Sequence, residues 1–414
     1  MESPRYVVVG GGPAAASAAR RFAEAGQSVA VLTAEPLPPY DRTVLSEGAL
    51  ADPPAPIPTL WPDDAPWRDH VFVRTRTRVE SLDPDGRTLT TDDGTTWAFE
   101  AVVLATGAEP RRLVVPGADG PGVHHLRDAE DATALSAALA STQRLVVVGG
   151  GVIGLEVAAA AVQRGVAVDV VEAGPRVLGR GVPAPVAAWL ARVHAEHGVR
   201  IHAGRTPQEV LREDGLVTGM HLSDGTVLPA DTVVVGIGIT PRTALAEAAG
   251  LSVDDGIVVD PSMRTSHPAV LAAGDAVRMV GGHGERGVRL ESYTAAGRQG
   301  EVAAAVAMGG TESFDDVPWS WSDQYDATMQ AMGVPPPEAR EVVVGGPDSP
   351  VVLSFDGDRL VGVCGVAHGP GVARPVRAAA GAIAAAAAVD VEAALAAGAD
   401  LGALARVLRD AGRR

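Results

Sequence analysis

The chain of 414 residues contains no lysine; all of its 34 strongly basic side chains are arginine. That removes Schiff-base chemistry and the lysine of a phosphate-binding P-loop. It has a single cysteine, Cys364. One thiol excludes an internal disulfide, a CxxC redox pair and a thiolate zinc site, and suits a reducing cytoplasm. Positive charge is in deficit, with a formal net charge of -17. Nucleic acid and anionic membrane both demand a basic surface, so neither is expected as the main partner. The longest apolar tract, AAAGAIAAAAAVDVEAALAAGA (residues 378–399), is built of weakly hydrophobic alanine and carries Asp390 and Glu392. It reads as a surface helix and not a membrane span. The opening MESPRY runs straight into a strand and leaves no room for a signal peptide. No H-E-x-x-H or G-x-S-x-G occurs, and His124-His125 sits in a loop with no further ligand at metal spacing, so no metal is expected.

What is present describes a globular protein of about two or three domains: 46% hydrophobic and 21% charged residues, with 49 glycines. A β-branched strand at Tyr6 to Val9 is followed by an alanine-rich helix from Pro13 to Ala25 and a second strand from Ser28 to Leu32. Turn signals at Asp85-Gly86 and Asp93-Gly94 mark hairpins, and a buried strand, Ala101 to Ala105, ends at Thr106-Gly107. In this region Arg74, Arg76 and Arg78 alternate as on one face of a strand, either a contribution to docking or a solvated face. The pattern then restarts with strand Leu145 to Val148, a glycine turn, a helix, strand Ala167 to Val171 and a buried strand in DTVVVGIG. Two copies of one unit form an internal duplication. A strand ending at Gly274-Asp275 follows, and after Val317 alternating strands and an alanine-rich tail suggest a smaller α+β domain.

Each copy carries a turn of the G-x-G-x-x-G type: Gly10, Gly12 and Ala15 in the first, Gly149, Gly151 and Gly154 in the second. Between strand and helix, such glycines let backbone N–H groups approach a pyrophosphate at the helix N-terminus. An acid closes each following strand, Glu35 and Glu172, placed to accept ribose hydroxyls. Glu172 would repel a 2′-phosphate, which predicts NADH over NADPH. Arg176 leaves two readings open, a partner for that phosphate or a cover for the adenine or a neighbouring acid. Two cradles imply two dinucleotides and electron traffic between them, one FAD and the other a nicotinamide.

Over essentially its full length the chain resembles the FAD-dependent ferredoxin reductases of the glutathione-reductase-like superfamily. The resemblance is carried by LPPYDRTVLSEG, VVLATGAEPRRL, HLRDAEDA, GGGVIGLEVAA, VVVGIGITPRTALAEAAGL, VVDPSMRTSHPAVLAAGDAV, VRLESYTAAGRQG and PWSWSDQYD. It implies an α/β fold: two Rossmann-like FAD- and NAD-binding domains plus a C-terminal α+β domain. The expected divisions are 1–112 with 241–316 for FAD, 113–240 for NAD and 317–414 for the C-terminal domain. The resemblance further implies that the first cradle with Ala14, Glu35, Val79 and Thr106-Gly107 holds the ADP half of FAD, and Gly274-Asp275 its ribityl or pyrophosphate end. Arg42, Arg127 and Tyr293 would approach the flavin, with Tyr293 opening a helix whose positive end faces it. Ile153 and Gly238 join the second cradle in the NAD site. Trp321 would lie beside the isoalloxazine, or else is a core tryptophan of the last domain.

One departure stands out. Relatives carry Leu-Ser-Lys where this chain has Leu45-Ser46-Glu47, and their lysine pairs with the glutamate that is Glu156 here. Two carboxylates would then share a site near the flavin, so that one has a raised pKa or Glu47 turns away. The implied activity is NADH-dependent hydride transfer through FAD to an iron-sulfur ferredoxin, and indirectly to an oxygenase, in a cytoplasmic monomer or weak homodimer. Two alternatives stay open: an NADH oxidase or reductase of a small-molecule acceptor, and a non-catalytic flavin-binding interaction protein.

Overall fold

The computed structural model describes residues 4–281 and 287–413; the first residues of MESPRY lie outside the described residues. The chain divides into two compact units: Met1–Thr43, Ile57–Glu109 and Ile239–Asp316 form one, and Val44–Pro56, Pro110–Gly238 and Val317–Arg414 the other.

The first unit is built on a five-stranded parallel sheet in the order Val270–Ala272, Ala101–Leu104, Tyr6–Val9, Val29–Leu32, Val71–Arg74. Its central segments YVVV, VAVL and AVVL are buried at every position, as strands covered on both faces must be. Helix Pro13–Glu24 starts with proline, whose fixed φ suits a first helical turn. It lies against helix Tyr293–Ala307, and a Cβ on Gly300 would meet the Ala14 carbonyl oxygen at 2.1 Å, so only glycine permits this approach. Phe22, fully buried, stacks on Tyr6 with ring centroids 4.3 Å apart, a burial worth about 2–3 kcal/mol.

The second unit repeats this sheet in the order Arg200–Ala203, Ala167–Glu172, Arg144–Val148, Thr232–Val235, Val123–His124, again all parallel. His124 is therefore in an edge strand and not in a loop. In both copies the chain reverses its direction of winding beside the first strand, the switch point where open α/β sheets bind ligands. The same unit holds a five-stranded antiparallel sheet from Trp319–Gln324 to Arg359–His368. Its Met329, Val352, Cys364 and Val366 share one core with Leu155, Trp189 and Val193 of the parallel-sheet layer.

Two expectations fail on backbone geometry. The alanine tract is not one helix: it breaks into Ala373–Ala378, Ala380–Ala384 and Val391–Ala396, followed by Leu401–Ala411. Ala386 has φ +46°, and Asp390 restarts the chain as an N-cap accepting from the Ala393 N–H, a competition with helix that short acids favour. The three alternating arginines do not share a strand. Arg74 ends one, Arg76 turns at φ +50° with its N–H on the Glu35 carbonyl, and the next strand starts at Val79.

Candidate dinucleotide sites and a buried carboxylate

The two glycine turns share their first constraint. Gly10 has φ +134° and its Cβ would lie 2.0 Å from the Ala105 carbonyl oxygen; Gly149 has φ +106° and would meet that of Gly236 at 2.3 Å. No side chain other than glycine fits either position. Gly12 and Gly151 differ from these. Both have ordinary negative φ, of -96° and -78°, and serve as N-caps without a capping side chain. A Cβ on Gly151 would touch nothing within 4 Å, and one on Gly12 only the Arg42 side chain, at 3.4 Å or more. Helices Ala129–Leu139 and Tyr293–Ala307, in contrast, are capped by the Asp128 and Ser292 side chains. The cradles thus offer helix N-terminal N–H groups over open space, the environment a pyrophosphate requires.

In the first unit Glu35 accepts from the Tyr40 hydroxyl and pairs with the Arg42 guanidinium, which gathers Glu35 and Arg42 beside Gly12. Gly274, at φ +82°, sits against Ala14 and donates to the Gln299 side chain, bringing Asp275 to the same end of the helix pair. Tyr293 opens its helix as expected; burial, then the Asp41 charge, raises its pKa. Ala15 is buried in the cradle helix. Thr106 donates to the Arg242 carbonyl, and Gly107 accepts from the Arg242 N–H. Val79 opens the strand Val79–Asp83 just after Arg76 and Thr77, whose N–H groups donate to the Glu35 and Thr33 carbonyls.

In the second unit Glu172 uses both oxygens on backbone, accepting from Gly150 N–H at 2.8 Å and Gly174 N–H at 2.6 Å. Arg176 is spent on its own loop, donating to the carbonyls of Val177, Leu178 and Val182. It therefore does not present itself to a 2′-phosphate. Ile153 is 45% exposed at the mouth of this cradle, and Gly154 permits the close turn, since its Cβ would meet the Gly149 oxygen at 2.0 Å. Gly238, at φ +101°, accepts from the Arg111 N–H. The expected outcome is a preference of about a hundredfold or more in kcat/KM for NADH over NADPH, checked by steady-state rates with both coenzymes.

Arg127 also falls in this unit, its N–H on Asp131, as do Glu47, Glu156 and Trp321. Glu156 is 6% exposed on helix Val152–Gln163. Its two oxygens accept from the Ser46 and Ser322 hydroxyls, both at 2.5 Å. Burial pushes its pKa up to about 7, against the opposing pull of those two donors, and the neighbouring charge that adds to the rise is Asp323. Hydroxyls hold both of the Glu156 oxygens. Trp321 is half-buried and stacks on Trp319 at 4.9 Å and 21° between ring planes; Arg377 lies 5.1 Å over the Trp319 ring. Cys364 is buried, its thiol pushed up to about 12 by burial, which keeps thiolate chemistry out of this chain at neutral pH.

Sequence reasoning passed over Ser46, Ser322, Gln324, His194 and Tyr325. A signal was present: Ser322 and Gln324 alternate along one strand and so share a face, and His194 is a lone polar residue on the apolar side of helix Ala184–Glu196.

Comparison with known proteins agrees with this construction. Residues 4–300 match the family described as pyridine nucleotide-disulphide oxidoreductase, and residues 319–405 the reductase C-terminal family. The chain belongs to the pyridine nucleotide-disulphide oxidoreductases. It is 38% identical over 351 residues to the ferredoxin–NAD(+) reductase component of the anthranilate 1,2-dioxygenase system of Burkholderia cepacia, covering 84% of this chain and 86% of that protein. It is 39% identical over 365 residues to rhodocoxin reductase of Rhodococcus erythropolis, covering 86% and 85%. Among solved structures, the covalent putidaredoxin reductase–putidaredoxin complex superimposes with a TM-score of 0.88 at 32% identity, over 97% of this chain and 99% of that one. Among the described residues no helix is long and apolar enough to cross a membrane.

Proposed function

We propose that this chain is an NADH-dependent flavoprotein reductase that passes electrons through FAD to an iron-sulfur ferredoxin serving an oxygenase in the cytoplasm. The observation that supports it most strongly is the pair of matching cradles, each with an uncapped helix N-terminus and a glutamate at, or three residues past, the end of the following strand. Flavin supplies the step from two-electron to one-electron chemistry when it is bound. The chain's own part is to hold and to tune. We assign the first cradle, Glu35, Arg42, Asp275 and Tyr293 to FAD, with Val79, Thr106 and Gly107 in support. Gly149, Gly151, Ile153, Gly154, Glu172 and Gly238 are assigned to NADH. Glu156, Glu47 and Trp321 are assigned to electron transfer, and Arg127 to the flavin region. The functional divisions proposed are 1–112 with 241–316, 113–240 and 317–414.

The thiol relay of disulfide reductases has no support, because the one cysteine is buried and protonated. Anaerobic titration of the purified yellow protein with NADH, followed by a ferredoxin, tests the proposal. NADH bleaches the flavin, and cytochrome c reduction requires added ferredoxin. Bleaching with no ferredoxin dependence would turn the assignment to an oxidase or small-molecule reductase; no bleaching would leave a binding protein.

A further inference from the structure

From Glu156 a line of buried polar groups runs through the second unit. The Ser322 hydroxyl donates to Glu156, and the Gln324 side-chain N–H donates to Ser322 at 2.9 Å. Gln324 in turn accepts on its oxygen from Nε2 of His194 at 2.8 Å, which fixes the proton of this imidazole on Nε2. Nδ1 is then an acceptor and takes the Tyr325 hydroxyl at 3.1 Å. Tyr325 stacks on His197, ring centroids 3.8 Å apart, and His197 is anchored to the Val193 carbonyl. Ser322, Gln324 and His194 are each no more than 1% exposed, so these bonds are shielded from bulk solvent.

Every donor in this line points toward the carboxylate. A chain of bonds oriented one way reinforces each member and favours charge at its acceptor end. Burial holds His194 below its usual pKa, against the raising effect of Gln324 and with a further push from His197. A neutral imidazole is what the Nε2–H pattern requires.

We infer that Gln324 and His194 are positioning residues for Glu156, orienting the Ser322 hydroxyl and so setting the protonation state of that carboxyl. This rests on the reading above, in which Glu156 takes part in electron transfer. The line favours the charged form of Glu156 without carrying charge itself. A hydroxyl alone is free to rotate away; the amide of Gln324 forbids that, and His194 forbids the amide to flip.

Charged and titratable groups stand on the elements around the line. On strand Trp319–Gln324 there is Asp323, which raises Glu156. Beside Ser46 there is Glu47. At the end of the Glu156 helix the Arg164 guanidinium is engaged by the Leu50 carbonyl and by Ser136. The adjoining strand Ala167–Glu172 carries Asp169, paired with Arg200 and His202, and Glu172, held by backbone. On the His194 helix Arg192 pairs with Glu196, His368 faces Asp326, and Cys364 lies in the shared core. Asp323 and Glu47 stay in place in every variant below.

The test is infrared titration of the holoenzyme, following the carboxylic acid band that disappears in Glu156→Gln. In His194→Phe the midpoint rises by about half a unit to one unit, because the freed amide can turn its oxygen to Ser322 and draw that hydroxyl away. His194→Gln, which restores an amide N–H donor, returns it toward the wild-type value. Gln324→Met removes the same link and carries the measurement should His194→Phe fail to fold. A midpoint unmoved in either folded variant overturns the inference. The pH profile of flavin bleaching by NADH is recorded alongside. If the infrared midpoint moves and the bleaching profile does not, the positioning role stands and the assignment of Glu156 to electron transfer falls.

Discussion

Gly151→Val gives a folded protein that keeps its flavin but raises the KM for NADH by about a hundredfold or more. A Cβ at this position meets nothing within 4 Å and the backbone φ is -78°, so the fold has no reason to object. Valine nevertheless stands over the first N–H groups of helix Val152–Gln163, where a pyrophosphate would be received. Losing two or three charge-assisted bonds of this kind costs about 3–4 kcal/mol, a factor of about a hundred to a thousand. Gly12→Val does the same to the first cradle and yields a colourless protein, with the Arg42 side chain, 3.4 Å from the new Cβ, moving aside. Flavin absorbance of the purified variants and NADH saturation curves check both. A Gly151→Val protein with unchanged KM would show that the open space is not where the coenzyme phosphates lie. Gly149→Val is a poor substitute for this experiment: it collides with the Gly236 backbone and would report on folding.

Glu156→Gln removes the titration near neutrality from the pH profile of flavin reduction. The wild-type acid, its pKa pushed up to about 7 by burial, changes charge within the working range of the protein. Glutamine fits the same seat between Ser46 and Ser322 but has nothing to titrate. The sign of the stability effect follows from the same shift. In the folded chain this carboxyl holds its proton above the pH at which the unfolded chain releases it. Its ionisation therefore costs stability as pH rises from about 4.5 to about 7. Glu156→Gln should melt close to wild type at pH 5 and above it at pH 8, by a margin on the order of 2–3 kcal/mol at the high-pH end. Stopped-flow bleaching and thermal melts across this range decide both. A midpoint near neutrality that survives the substitution assigns the titration to another group.

Much of this architecture was legible in the amino-acid sequence. Buried parallel strands announce themselves as uninterrupted β-branched runs, and glycine turns followed by alanine-rich helices have few other uses, so both sheets and both cradles were expected where they stand. Long-range side-chain pairing was not legible. Ser46 and Ser322 meet on Glu156 across 110 and 166 positions, and no local pattern encodes such a meeting. The resemblance drew attention to Glu47, the altered residue, and not to its neighbour Ser46, whose hydroxyl donates to the carboxylate. The alanine tract misled for a different reason. Alanine favours helix without specifying where one must stop, and Ala386 and Asp390 set breaks. Arg74, Arg76 and Arg78 show the reverse error, an alternation that belongs to a turn and not to a strand.

The sheet order of the first unit bears on how the chain leaves the ribosome. Its edge strand Val270–Ala272 pairs with Ala101–Leu104, which emerges more than one hundred and sixty residues earlier. Until the late strand arrives, the Ala101–Leu104 edge, apolar throughout, has open hydrogen-bonding groups and no neighbour. Meanwhile the second unit's parallel sheet, whose strands all lie between Val123 and Val235, can close first. The amino-terminal nucleotide fold is thus begun first and finished second, and stalled or truncated chains ending before residue 270 should be the ones that seek chaperones or aggregate.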